Sequence, residues 1–349
     1  MTSVSAPGTE ASSDSLRIGV LGAARITEEA LISPARATGH RVVAVAARDR
    51  ARAESFAARH GIERVLDSYA DVLADPGVEV VYNPLANVLH GPWNLAAVAA
   101  GKHVLSEKPF ASTAEEAEEV RKAAATAGVA VVEGFHYLHH PLLRRLQQLL
   151  DDGELGELRA VEADMVMPAP DDGDPRWSFE LAGGALMDLG CYSLHVARML
   201  GRYAGGEPRL VGARAVERAG HPGVDEWLTA ELEYPSGATA RAHCDMAGDE
   251  WRFRCRVVGS RGEAVLANFV KPAWDDRLVV TTSSGRRVEH LGTRPSYDYQ
   301  LTALAAHLRG GAAFPLDLDD AVTQARLIDQ VYEAAGFPLR PRSRPADLS

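Results

Sequence analysis

The sequence predicts two α/β domains: a doubly wound parallel sheet over residues 16–138, and a larger, open and mostly antiparallel α/β sheet over 139–349. Three observations carry this. Up to about residue 138, short apolar runs alternate with amphipathic helical patterns, which is how strands buried on both faces of a parallel sheet read. Beyond residue 140 several segments alternate apolar and polar residues, as in Thr229-Ala230-Glu231-Leu232-Glu233-Tyr234, the period of a strand with one covered face. The length, 349 residues, suits two domains at roughly 150 residues each.

Residues 1–15 are small and polar, and a disordered tail is expected there. Leu16–Leu21 is an apolar strand that stops at Gly22, followed by a helix over 26–37 ended by Gly39. Arg41–Ala46 is a second buried strand, and Ala51–Arg59 a helix with Gly61 as its left-handed stop. Asp75-Pro76-Gly77 turns the chain into the strand Val78–Tyr82, then come a helix over 90–100 and a strand over 103–105. Ser112 or Thr113 with Glu115 and Glu116 makes a capping-box start for a helix over 113–126, with Gly128 as its stop and Val129–Val132 as the next strand. In the second half, Leu142–Leu150 is helical, and strands are expected at 157–166, 208–217, 226–234, 237–245, 252–259, 262–267 and 277–282. Tyr234-Pro-Ser-Gly237 and Gly259-Ser-Arg-Gly262 read as hairpin turns, Asp171–Pro175 as an exposed loop. Helices are expected near 185–200, 297–309 and 318–335.

Composition excludes several classes. The net charge of −11, with no run of Lys or Arg, is unsuited to nucleic acid, because phosphate contacts need clustered cations. No apolar stretch approaches the ~20 residues of a membrane span, and no signal peptide is recognisable at the N-terminus. Three widely spaced cysteines, Cys191, Cys244 and Cys255, give neither a disulfide framework nor a CxxC zinc site, so a reduced, cytoplasmic setting is expected. His136, His139 and His140 lack an accompanying Cys or carboxylate pair, and no metal is expected.

The first strand-turn-helix unit raises the question of a dinucleotide. Its turn, Gly22-Ala23-Ala24-Arg25-Ile26-Thr27, keeps only the first glycine of Gly-x-Gly-x-x-Gly. Gly22 permits the tight turn, Ala24 is small enough for close backbone approach, and the helix start offers free N–H groups to a pyrophosphate. Gly22, Ala24, Arg25 and Ile26 are therefore candidate cofactor contacts; the alternative is a plain strand-to-helix turn. At the end of the second strand, Ala46-Ala47-Arg48-Asp49 puts alanine where an NAD enzyme usually has an acid. Arg48 suits a 2′-phosphate, which favours NADP over NAD; the alternative gives Asp49 the ribose role.

Two constellations carry chemistry. Ser106-Glu107-Lys108-Pro109 ends a parallel strand, where ligands of such sheets bind. Lys108 there can hydrogen-bond a substrate hydroxyl or relay its proton, with a pKa expected to fall beside a positive nicotinamide; otherwise it is a surface lysine. In Gly183-Gly184-Ala-Leu-Met-Asp188-Leu-Gly190-Cys-Tyr192-Ser-Leu-His195, Asp188, Tyr192 and His195 fall on one face of a regular helix, an acid/base cluster by residue type. The alternative is a capping aspartate, a packed tyrosine and a half-buried histidine.

These motifs together resemble the Gfo/Idh/MocA (glucose–fructose oxidoreductase, inositol dehydrogenase, rhizopine catabolism) family. The residues that carry the resemblance are Glu107-Lys108-Pro109, the loop Val81-Tyr82-Asn83-Pro84-Leu85-Ala86-Asn87-x-x-His90, Gly183-Gly184-Ala-Leu-Met-Asp188-x-Gly190-x-Tyr192 and Tyr297-x-Tyr299-Gln300. The likeness runs from about residue 16 to 340 and is nearest the branches of dihydrodiol dehydrogenase, sugar dehydrogenases and anhydrofructose-type reductases. It implies a Rossmann domain, a second open-sheet domain and an active site between them. It also implies that Lys108, Asp188 and Tyr192 are catalytic, that Leu85, Asn87, His90 and Glu107 lie at the cofactor, and that Arg176 faces substrate; His195, on the helix face of Asp188 and Tyr192, is expected to face substrate with them. Ala86, Asn83 and Ala182 depart from a usual proline, aliphatic residue and glycine.

The implied activity is NAD(P)-dependent hydride transfer to or from a secondary alcohol or ketone of a small sugar, cyclic polyol or dihydrodiol. The alternatives are a biosynthetic reductase of a nucleotide-linked ketosugar or cyclic imine, and a non-catalytic dinucleotide-binding regulator. An open sheet face left bare is a liability, so a homodimer or homotetramer built on it is expected.

Overall fold

The computed structural model describes residues 14–343; nearly all of the tail expected over 1–15 lies outside them. The first sheet is built from β1 (Arg17–Leu21), β2 (Arg41–Ala46), β3 (Arg64–Val65), β4 (Val80–Asn83), β5 (His103–Ser106) and β6 (Val131–Glu133). Its order is β3-β2-β1-β4-β5-β6, and every pairing is parallel. The order reverses between β1 and β4, so the crevice for a ligand opens there, beyond the carboxyl ends of the strands. Around the sheet run α1 (Ser33–Thr38), α2 (Arg50–His60), α3 (Tyr69–Ala74), α4 (His90–Ala99) and α5 (Ala114–Ala127). A π-helical turn, Glu28–Ile32, leads into α1. The expected stops hold: α2 ends at Gly61 and α5 at Gly128, both left-handed. Thr113 caps α5 through the Glu116 N–H, and Glu116 returns an acceptor to the Ser112 N–H. Three short elements, β3, α3 and a late strand, were not expected from the pattern.

The second sheet follows α6 (Pro141–Asp151). It comprises β7 (Leu158–Val166), then, after α7 (Cys191–Met199), β8 (Arg209–Glu217), β9 (Asp225–Glu233), β10 (Thr239–Asp245), β11 (Arg252–Gly259), β12 (Gly262–Leu266), β13 (Arg277–Thr282) and β14 (Gly285–His290). The order is β14-β13-β12-β11-β7-β10-β9-β8; β7 and β10 run parallel and the other neighbours antiparallel. Alternate residues face α6 and α7: Val161, Ala163 and Met165 of β7 pack with Leu142, Leu146 and Leu194 in one core. The other face is half-exposed and polar, crossed by the ion pairs Arg241–Asp164 and Arg256–Glu162 and by a Thr229–His243 hydrogen bond.

Two C-terminal helices, α8 (Ser296–Gly310) and α9 (Leu318–Ala334), do not stay with the sheet that precedes them. Tyr297, Leu301 and Leu304 of α8 are buried against Ile18, Val20 and Leu31 of the first domain. Ala321, Val322 and Ala325 of α9 pack with Val120 and Ala124, while Leu327, Val331 and Tyr332 enter the second core. A division at residue 138 therefore separates the sheets but not the helices.

One buried carboxylate fixes the entry to the helix before β8. Asp225, the first residue of β9, accepts hydrogen bonds from the Leu186 N–H at 2.7 Å and the Tyr332 hydroxyl at 3.0 Å, and pairs with Arg340. Neither ionic side chain is exposed. Gly184 must be glycine here: its φ is +131°, and a Cβ would sit 2.0 Å from Asp225 Oδ1. Removing one member of a buried pair strands the other, so Asp225→Ala is expected to cost about 3–5 kcal/mol. Denaturant unfolding checks this, and a loss below about 1 kcal/mol would show that Arg340 finds another partner.

Candidate active site

The dinucleotide turn has the geometry of a cradle. Gly22 lies at φ +88°, and a Cβ there would come within 3.0 Å of Leu85 Cδ2 and 3.6 Å of the Tyr69 hydroxyl. Gly22 follows β1 and Leu85 follows β4, so the two flank the point where strand order reverses. Ala24 and Ile26 are partly exposed and Arg25 fully so. The Thr27 hydroxyl at the end of the turn is buried without a hydrogen-bond partner. At the end of β2, Arg48 is exposed. Asp49 caps α2, accepting the Arg52 N–H on Oδ1. Arg52 reaches back to the Ala23 carbonyl at 2.8 Å. A small turn, a recessed unpaired hydroxyl and an exposed guanidinium at the ribose end fit a dinucleotide with a 2′-phosphate. Tyr69 and Arg52, at this rim, were missed by sequence reading, which looked only at the strand ends.

The loop after β4 is held by buried polar groups. Asn83, where an aliphatic residue is usual, donates to Asn94 Oδ1 at 2.8 Å, and Asn94 donates to Ser106 Oγ at 2.8 Å, joining the ends of β4 and β5 through α4. His90 is buried, with Nδ1 2.7 Å from the Pro109 carbonyl and Nε2 2.9 Å from the Leu85 carbonyl. Burial holds its imidazole down to about 4, against the pull of these carbonyls. His90 thus braces the two loops from behind. Asn87 reaches the second domain, donating to the Ala182 carbonyl at 3.0 Å. Ala182 has φ +57°, a conformation natural to the glycine it replaces.

Lys108 leaves the carboxyl end of β5 and crosses to the second domain. Its ammonium lies 2.9 Å from the Asp188 main-chain carbonyl, 3.4 Å from Asp188 Oδ1 and 5.3 Å from the centre of the Tyr192 ring. The amine and the phenol thus converge on one side of the cleft. Arg176 donates to the other Asp188 oxygen at 2.8 Å and pairs with Asp174, which Arg25 reaches from the dinucleotide turn at 3.3 Å. Burial opposes charge on Asp188, but Lys108 and Arg176 outweigh it and hold the carboxyl below its ordinary range. For Lys108, burial also opposes charge, yet Asp188 foremost raises its pKa. The fall anticipated from sequence is not the direction set by the protein groups alone. Glu107, buried beneath, accepts the Tyr82 hydroxyl at 2.8 Å, and burial pushes its pKa up.

Asp188 lies in a π-helical turn, Leu186–Gly190, that runs into α7. The wider turn changes which residues share a face. Asp188 and Tyr192 both meet Lys108, but His195, expected beside them, does not. His195 is wholly buried: Nδ1 is 2.7 Å from the Tyr137 hydroxyl, Nε2 is 3.1 Å from Asp320, and the ring stacks on Phe135 at 3.9 Å. A substrate-facing role for His195 is therefore corrected to a structural one.

Tyr192 has a partner that sequence reading discounted. Its hydroxyl lies 3.2 Å from His136 Nε2, and His136 Nδ1 lies 2.7 Å from Ser296 Oγ. His136 follows the carboxyl end of β6, so the strand-end rule that singled out Lys108 points to it too. Among the described residues no cluster of His, Cys, Asp or Glu is arranged to hold a metal.

Asp320, at the start of α9, takes His195 on one oxygen and Arg198 on the other at 2.9 Å. Burial opposes its charge, but these partners bring its pKa to about 2. An unfolded aspartate titrates near ~3.9. The pair's stabilisation is therefore complete above about pH 4 and is lost as pH falls towards 2, with a size of about 2 kcal/mol. Asp320→Asn is expected to lower unfolding stability by that amount at neutral pH, with the gap to the parent protein closing between about pH 4 and pH 2. Denaturant melts across that range check it; a gap independent of pH would contradict it.

The oxidoreductase family with an NAD-binding Rossmann fold, GFO/IDH/MocA, matches residues 16–135, and the GFO/IDH/MocA C-terminal domain matches 143–265. The chain is 35% identical over 322 residues to D-xylose 1-dehydrogenase (NADP(+)) 2 of Haloferax volcanii, covering 92% of this chain and 97% of the relative. It is 33% identical over 330 residues to the dTDP-3,4-didehydro-2,6-dideoxy-alpha-D-glucose 3-reductase of Saccharopolyspora spinosa, covering 91% and 97%. Among solved structures, a 3-ketoreductase from Actinomadura kijaniata in complex with NADP and TDP-benzene superposes with a TM-score of 0.84 at 29% identity, covering 92% of this chain and 98% of that one.

Proposed function

The chain belongs to the Gfo/Idh/MocA family of oxidoreductases, and from that premise we propose that it is an NADP-dependent dehydrogenase or reductase of a secondary alcohol or ketone in a small sugar. The observation that carries this reading is the convergence of the Lys108 ammonium, the Asp188 carboxylate and the Tyr192 ring beyond the end of β5. The nicotinamide, when bound, supplies or accepts the hydride. The protein's own groups manage the substrate oxygen. Tyr192 holds the proton that this oxygen gains or loses, and the Lys108 ammonium stabilises the negative charge that develops on it. Asp188 anchors Lys108 through a carbonyl and a carboxylate oxygen at once, and Arg176 fixes the carboxylate from the other side. Gly22, Ala24, Arg25, Ile26 and Leu85 would line the dinucleotide, with Arg48 at the 2′-phosphate. Asn87, His90 and Glu107 would shape the nicotinamide end, His90 from behind.

A second reading, reduction of a nucleotide-linked ketosugar, is favoured by the likeness to the 3-ketoreductase. In that enzyme a lysine and a tyrosine have each been replaced in solved variants, and they are as far apart in sequence as Lys108 and Tyr192. The lysine–aspartate–tyrosine cluster also argues against a purely regulatory role, which has no need of it. The proposal includes a cytoplasmic setting, consistent with three unpaired, buried cysteines, and a homodimer or homotetramer on the polar sheet face.

Consumption of NADPH with a panel of free ketosugars and a TDP-linked ketosugar, and reduction of NADP with D-xylose and other aldoses, tests the reading. Turnover of free sugars supports it; turnover of the TDP-linked substrate alone transfers it to the second reading. Lys108→Ala and Tyr192→Phe are each expected to lower kcat by about 10²–10⁴-fold while NADPH still binds. Unchanged turnover in either removes that residue from the mechanism. Arg48→Ala is expected to weaken NADPH binding at least about tenfold more than NADH binding, measured by fluorescence titration; equal losses would contradict the 2′-phosphate assignment.

A further inference from the structure

We infer that His136 is a positioning residue for the Tyr192 hydroxyl: its imidazole, braced by Ser296, directs the phenolic proton to the substrate oxygen. The inference rests on the role proposed above for Tyr192. The geometry is a continuous buried chain. His136 Nε2 is 3.2 Å from the Tyr192 hydroxyl and Nδ1 is 2.7 Å from Ser296 Oγ. The imidazole has no exposed surface, and the Tyr297 ring stacks on it at 3.8 Å. The chain joins the end of β6, α7 and α8, so all three hold the ring in place.

Burial, with Lys271 and Lys108 nearby, keeps the His136 pKa well below its ordinary value, so the ring is neutral and carries one N–H. Two arrangements then satisfy both contacts. In one, Tyr192 donates to Nε2 and Nδ1–H donates to Ser296, so the phenolic proton is spent inside the protein. In the other, Ser296 donates to Nδ1 and Nε2–H donates to the phenolic oxygen, so that proton is free to point into the cleft. A hydroxyl at Ser296 serves either arrangement, because it donates and accepts.

The second arrangement is the one reduction needs. The O–H bond of Tyr192 breaks, and an O–H bond forms on the substrate oxygen as its carbon gains the hydride and its electron pair. The phenolate left behind keeps Nε2–H as a donor until a solvent water reprotonates it after product leaves. Oxidation runs the same proton back. Burial foremost, with the Tyr297, Glu107 and Asp188 side chains nearby, makes this phenolate costly and raises the Tyr192 pKa well above its ordinary value. The Nε2–H donor offsets part of that cost at the moment the anion forms.

The test uses the full-length enzyme with NADPH and its best ketone, in two variants. His136→Phe keeps an aromatic ring and loses both hydrogen bonds; His136→Gln can keep a donor on the phenolic oxygen. His136→Phe is expected to lower kcat about 10²-fold, and His136→Gln to recover at least about tenfold of that. Substrate KM and NADPH affinity should stay within about threefold of the parent. A second readout needs no activity: in the ¹⁵N NMR spectrum of the cofactor-free, histidine-labelled protein, the His136 Nε2 resonance should move in Tyr192→Phe. A folded His136→Phe with parental kcat, equal losses in both variants, or an unmoved resonance would overturn the inference. If the parent protein turns over no ketone, the proposed function fails, and the NMR measurement still decides whether His136 and Tyr192 are coupled.

Discussion

The contact on which the rest of the structure depends is the partly buried ion pair between Lys108 and Asp188. One charge belongs to the end of a parallel strand and the other to a helix of the second domain. Two charges drawn partly out of water lose hydration, and close pairing offsets that loss. The pair therefore constrains how the two sheets face each other. Around it, the fold supplies further fixing groups, charged and neutral. The Asn83–Asn94–Ser106 chain locks the strand end that carries Lys108. Asp225 and Arg340 lock the turn that carries Asp188.

Much of this was legible in the sequence, for physical reasons. Gly61 and Gly128 stop helices because their backbones are left-handed, and Thr113 starts one because it caps. Apolar runs of the first domain marked strands covered on both sides, and the alternation around Thr229–Tyr234 marked one covered on a single side. Lys108, at the end of a strand in such a sheet, could be singled out by topology alone. What escaped has equally definite causes. Strands of two residues, such as Arg64–Val65, leave no period to read. β14 carries charge on half of its six residues and lies at the edge of the sheet, so it shows no apolar run.

The site was less legible than the fold. Placing His195 beside Asp188 and Tyr192 assumed a regular helix, and the π-helical turn at Leu186–Gly190 broke that assumption. The departures at Asn83 and Ala182 looked like losses of a motif, yet each carries a specific contact, one across a buried loop and one across the cleft. His136 was hidden in a run of histidines whose spacing suggested a metal question. Its partners Tyr192 and Ser296 are remote in sequence, and no periodicity links them.

Helix α9 belongs to both cores, with Ala321, Val322 and Ala325 on one side and Leu327, Val331 and Tyr332 on the other. A chain severed after its first sheet would leave each fragment with an uncovered apolar groove where this helix should lie. The two halves are consequently not interchangeable modules. Grafting the nucleotide-binding half onto a foreign partner would require carrying the last helices along, and any change in the cleft's opening must bend or slide a rod gripped at both ends.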